Sequence, residues 1–152
     1  MLLIIIAALV PVTAIIAAIS IPAYVDYQAR TVVSAAYSEA MAQRIDIDEH
    51  YQRNGRLPME QSQLPGQWPI TVADGQASVY YQSELLLIRF SGRAPQRLRG
   101  QMVGIGFYRK VDGQLGIQCG CHTADGLVLS TASSSQATTL EDHLLPADCR
   151  AL

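Results

Sequence analysis

The chain has 152 residues, 49% of them hydrophobic and 16% charged, with a formal net charge of −2 at pH 7. That length holds one domain and one anchor rather than two domains, and the charge balance gives no global signal for nucleic acid or an acidic substrate. The apolar surplus is concentrated at the front: residues 1–25 carry no charge, and from Asp26 onward the composition is that of an ordinary soluble module.

As a helix, residues 1–25 would be about 37 Å long, more than the roughly 30 Å hydrocarbon core of a bilayer, so membrane insertion is expected. A secretory signal peptide fits poorly, because the run has no basic n-region, is too long, and lacks a small-residue cleavage site followed by a domain start. No Lys or Arg precedes the span, while Arg30 and Arg44 follow it, a bias that places the body in the cytoplasm. The cysteines, clustered near the C-terminus, argue for an oxidising compartment instead. Both signals are reconciled if a short basic leader has been removed, making Met1 the first residue of a processed chain. An in-frame stop directly before Met1 would refute this.

Beyond Tyr24 the pattern turns helical. Val33, Tyr37, Ala40, Met41 and Tyr51 recur at three- and four-residue steps, with Arg30, Glu39, Asp46 and Glu49 mostly on the other side. The spacing predicts one helix of about fifty residues, carrying prolines at 11 and 22 and ending near 53. Gly55 supplies a left-handed cap there, and Pro58 bars continuation. Pro22 leaves the Ala18 carbonyl without its helical partner and is expected to bend the rod.

Residues 54–76, with Pro65, Gly66, Trp68, Pro69 and Gly75, read as a surface loop in which Trp68 plugs the local core. Strand patterns follow at 77–82, 84–90, 102–109 and 114–119. Val111 to Gln114 reads as a hairpin with a type I′ turn at Asp-Gly. The expected class is α+β: one long helix packed on one face of a four-stranded antiparallel sheet spanning 77–119.

Arg89, Arg93, Arg97, Arg99, Arg109 and Lys110 form a cationic run with no acid among them. Arg93, Arg97 and Arg99 are the candidate patch for an anionic partner such as DNA. The favoured alternative is a solvated hairpin, or a face that meets the acidic end of a neighbour's helix at Asp46, Asp48 and Glu49. Cys119 and Cys121 share one face of a strand end and are too close for an unstrained mutual bond, so each is placed to reach Cys149. A zinc site from Cys119, Cys121 and Cys149 with His122 or His143 competes, against an atypical C-x-C spacing. No Ser-His-Asp spacing, paired acids or phosphate loop occurs, and His50, His122 and His143 stand singly. The chain is expected not to be an enzyme and to need no cofactor or catalytic metal.

Three segments carry a family resemblance. "AAISIPAYVDYQAR" (17–30) resembles the start of type IV pilins, whose mature chains have the proline of I-P-A-Y at this same position, Pro22. "HYQRNGRLP" (50–58) is similar to the segment that closes the pilin and pseudopilin helix. "GQLGIQC" (113–119) with "DHLLPADCR" (142–150) is similar to the last strand and terminal loop of pilins of the twitching type. The resemblance implies a globular head over 26–152, a Cys119–Cys149 disulfide bounding a loop over 119–149, and Cys121 as the odd thiol.

It also implies filament-core and assembly positions at Ile5, Pro11, Ala14, Pro22, Tyr24 and Tyr27. Met1 stands where the family has a methylated phenylalanine, Ile5 where it has an assembly glutamate, and Ala14 where it has a helix-breaking glycine. The implied function is a subunit of a pilus filament for adhesion, twitching motility or DNA uptake. Its implied partners are further copies in a helical homo-oligomer, the inner membrane before assembly, the assembly machinery and the prepilin peptidase, and its destination is the cell surface. The alternatives are a minor pilin, a secretion pseudopilin, or a monomeric membrane-anchored periplasmic binding module.

Overall fold

The protein is described by a computed structural model covering residues 2–120 and 126–150, with side chains from residue 22 onward. One helix, α1 (Leu2–Asn54), leads into a sheet of six strands: β1 (Ile70–Val72), β2 (Ala77–Gln82), β3 (Leu85–Phe90), β4 (Met102–Arg109), β5 (Leu115–Cys119) and β6 (Leu127–Val128). Strands β1 to β5 pair in chain order, every pair antiparallel, and β6 joins β4. The class is α+β, with one helix on one face of an antiparallel sheet.

The helix buries a stripe of Ala29, Val33, Ala36, Ala40, Ile47 and Tyr51, the three- and four-residue spacing that keeps side chains on one face. Three of the six are alanine, which brings the helix axis close to the sheet. Facing them are Val79 and Tyr81 of β2, Leu86, Ile88 and Phe90 of β3, and Val103, Ile105 and Phe107 of β4. Registers Val79↔Ile88 and Leu86↔Ile105 put these on one side, as the period-2 strand geometry requires. The helix ends as predicted: Gly55, at φ 68°, gives its N–H to Tyr51 O at 2.8 Å. The buried Tyr81 hydroxyl donates to Pro58 O at 2.7 Å and so pins the chain just past the cap.

Several expectations need correction. The sheet has six strands rather than four, because Ile70–Val72 inside the predicted loop pairs with β2 and Leu127–Val128 inside the disulfide loop pairs with β4. Half-buried Trp68 packs against the core, its indole N–H on Pro65 O at 3.2 Å. The β4–β5 turn is not type I′: only Gly113 has positive φ, Gly113 N–H bonds Lys110 O, and Asp112 Oδ1 accepts from Gln114 N–H. That is a three-residue loop, in which the short Asp side chain rather than a left-handed Asp backbone makes the turn. Left-handed pairs occur instead at Ala73 and Asp74, between β1 and β2, and at Ser83 and Glu84, between β2 and β3.

The outer face of β4 is covered by the chain between the two cysteines. Residues 103–107 are all buried, although only alternate ones face the helix. Ser130 Oγ takes the Phe107 N–H at 2.7 Å and donates to Glu84 O. Thr138 Oγ1 takes the Gly104 N–H and Thr139 Oγ1 the Met102 N–H. Ser134 is 4% exposed and lies over Gly104, where a side chain would leave no room. The serine- and threonine-rich stretch is therefore an ordered cover that satisfies strand donors with hydroxyls.

Cys119, at the end of β5, is bonded to Cys149, with Cα atoms 4.9 Å apart. This overturns the zinc reading, since two of its three thiolates are joined to each other. Among the described residues no group of three or more His, Cys, Asp or Glu side chains could hold a metal. Cys121 and His122 lie outside the described residues.

Among the described residues no helix is long and apolar enough to cross a membrane. The expected span, 1–25, falls mostly on positions whose side chains lie outside the described set, as do those of Ile5, Pro11 and Ala14.

Candidate functional site

The sequence-predicted residues that the structure brings together lie where α1 enters the head. Pro22 is exposed, Tyr24 is 61% exposed and Tyr27 68% exposed, so both aromatic rings stand in solvent near Ala29, the first buried helix residue among the described side chains. The two rings lie three residues apart, in neighbouring positions on the helix surface.

Against this part of the helix sits the β3–β4 connection, residues 91–101. It is a closed loop: Phe90 N–H bonds Gln101 O, Gly100 N–H bonds Phe90 O, and Ser91 Oγ donates to Gly75 O at 2.7 Å. Ala94 and Leu98, 1% and 0% exposed, anchor it in the core. With these two pointing inward, the interleaved Arg93, Arg97 and Arg99 are forced outward, and all three are exposed.

The three arginines do different things. Arg97 reaches across to the helix, Nη1 lying 2.9 Å from Asp26 Oδ1. Asp26 is the first charged residue after the uncharged run. Arg99 gives its Nε–H to Ala94 O at 3.0 Å, which leaves its terminal nitrogens open. The guanidinium of Arg93 has no carboxylate partner among the described residues. Arg93 and Arg99, with Ala94 and Pro95, form one wall of a groove of about 460 Å³ whose other wall is Tyr27, Gln28, Thr31 and Val32.

The six-cation run read from the sequence is therefore not one patch. Arg89 stands on β3 opposite Met102, near the 91–101 loop. Arg109 and Lys110 lie at the other end of β4, seven residue steps or about 23 Å away. Of the predicted trio, Arg97 is committed to Asp26, so two cations with no carboxylate partner among the described residues remain in the groove.

Further along the helix, Arg44 donates to Leu115 O at 2.7 Å and ties α1 to the edge strand β5. Tyr37, beside it, has its hydroxyl pKa raised, first by burial and then by the negative charge of Asp148, with Arg44 opposing. These contacts are structural: they fix the helix and the C-terminal segment in one register. Sequence reasoning missed the Arg44 tie and the cover over Gly104 and Gly106; the alternate glycines in "MVGIGFYR" were the available signal, since glycine inside a strand marks close approach of another backbone.

Comparison with protein-family models and with characterised proteins finds no match for this chain.

Proposed function

We propose that the chain is a structural subunit of a type IV pilus, held in the inner membrane by the uncharged half of its helix and then packed by that half into a helical filament on the cell surface. The observation that carries this reading is continuity: α1 runs without a linker from the uncharged residues into the core of the head, and the aromatic rings at the junction, Tyr24 and Tyr27, are bare. A simple tether has no use for a rigid connection. A filament does, because the position of each head is then set by the packing of its helix.

Physical chemistry supports the transfer that assembly requires. Lipid tails and a bundle of apolar helices are similar solvents, so moving residues 1–25 from one to the other has little hydrophobic penalty. With Ile5 in place of a glutamate, no carboxylate has to be buried in the filament core, and register is left to packing. The long helix, the antiparallel sheet and the Cys119–Cys149 bond are compatible with the pilin resemblance, which itself implied the bond. The prepilin peptidase and the pilus assembly machinery enter as partners on that resemblance, while DNA is not favoured, since the cationic run divides between two ends of the sheet.

Ile5 favours one second reading, a minor pilin or secretion pseudopilin that primes filaments of other subunits. Negative-stain electron microscopy of material sheared from wild-type and deletion strains tests both. Filaments seen only in the wild type, with this chain as their main protein, are expected. Filaments in both strains would leave the minor-subunit reading, and filaments in neither would leave a solitary anchored module.

A further inference from the structure

Eighteen residues of α-helix make five whole turns, so positions eighteen apart stand on one line along the helix, about 27 Å from each other. Tyr27 with Ile45 and Gln28 with Asp46 are two of the pairs so related along α1. Tyr27 and Ile45, 68% and 70% exposed, share one line, and Gln28 and Asp46 share the next. The lower member of each pair borders the Arg93–Arg99 groove. At the upper end Asp48 accepts from Gln52 and Glu49 is paired with Arg53, while Asp46 has no ion-pair partner among the described residues. The head thus carries an exposed apolar side chain beside free cations at one end, and an exposed apolar side chain beside a free carboxylate at the other.

We propose that these two ends are the halves of one contact between copies of this chain: Ile45 of one copy packs on Tyr27 of the next, and Asp46 enters the groove to meet Arg93 and Arg99. The inference deepens the filament reading and rests on it. The two patches are different surfaces, so the contact is head-to-tail and leaves one patch of each kind unfilled at the ends, which makes an open array rather than a closed dimer. Both copies run in the same direction, displaced by about 27 Å along the helix axis and rotated by about half a turn, so that the two lines face each other. A nucleic-acid backbone is a poorer occupant. It is held by many cations along a track, whereas this groove offers two, next to the ring of Tyr27 and the side chain of Val32.

The test uses the full chain in its own cells, in a Cys121→Ser background. Asp46→Cys combined with Arg93→Cys, oxidised before shearing, should give a ladder of covalent multimers on non-reducing gels. Neither single variant, nor Asp46→Cys with Lys110→Cys, should do so. In parallel, Asp46→Arg and the double variant Arg93→Asp/Arg99→Asp should each lower filament yield about tenfold or more, and the three changes together should recover at least about half.

Abundant filaments without the ladder overturn the contact and leave the filament reading standing. Charge variants that keep full yield but lose salt-sensitive DNA retention overturn it in favour of nucleic acid. A wild type that makes no filaments overturns both. Where the swap and the ladder disagree, the ladder decides, because it reads the proximity of the two positions directly in the filaments that form.

Discussion

Gly104 lies directly under Ser134: a Cβ on Gly104 would come within 2.9 Å of Ser134 O and 2.7 Å of Ala137 Cβ. The strand can therefore be covered on its outer face only because this position has no side chain. Gly104→Ala should destabilise the full chain in detergent by about 1–3 kcal/mol, the usual range for overpacking, seen as a lower denaturant midpoint with unchanged slope. An unchanged midpoint would mean that the cover is not seated on β4.

The bond between Cys119 and Cys149 closes a loop with a sequence separation of 30. In the chain-entropy treatment, closing such a loop contributes about 3.5 kcal/mol. Cys149→Ser should lose that much, and protease should then cut first within 127–139, the cover held between the two cysteines. Limited proteolysis with mass spectrometry checks the order of cutting. Cleavage elsewhere first would show that the hydroxyl contacts alone hold the cover.

Burial raises the Tyr81 hydroxyl pKa strongly, and the nearby Glu84 charge adds to the effect. The folded state therefore keeps its proton at a pH where the unfolded chain, with an ordinary tyrosine pKa of about 10, has lost it. The stability from this group is complete below pH 10 and declines as pH rises from there, with the unfolded state binding fewer protons. Unfolding followed from pH 8 to 11 should show a plateau and then a fall, and Tyr81→Phe should flatten the fall. Removing the hydroxyl also strips Pro58 O of its donor, a loss of about 1 kcal/mol at neutral pH.

Ile5→Glu places a carboxylate in a segment that the proposed filament buries. An unpaired charge there is costly, so filament yield should stay the same or fall. Sheared protein per cell, measured against the wild type, gives the answer. A clear rise in yield would mean that register depends on a charge this chain lacks, and would undo the packing-only account.

The helix, its cap at Gly55 and the core strands were legible because long periodic runs leave strong signals: Val33, Ala40 and Tyr51 for the helix, and the alternation from Ala77 to Phe90 for the strands. The resemblance, rather than spacing, supplied the Cys119–Cys149 pairing. Two strands escaped notice because three and two residues are too short to show a period. The cover escaped for a different reason. A run of serines and threonines reads as unstructured polar chain, yet here Ser130, Thr138 and Thr139 act as acceptors for strand N–H groups, a role that composition cannot reveal. The cationic trio misled in the opposite sense. Adjacency in sequence suggested one patch, but the inward anchors Ala94 and Leu98 orient the three side chains, and a lone acid on the helix claims Arg97.

The absence of a linker between the uncharged segment and the head also has a mechanical meaning. A pull along α1 is resisted by the whole buried row from Ala29 to Tyr51 sliding against the sheet at once, with Arg97–Asp26 and Arg44–Leu115 O as cross-ties near its two ends. Loading in shear engages every contact together, whereas peeling would break them one at a time. In the proposed filament, tension would then pass from neighbour to neighbour through the backbone of α1, with the head carried as a rigid attachment instead of a swinging weight.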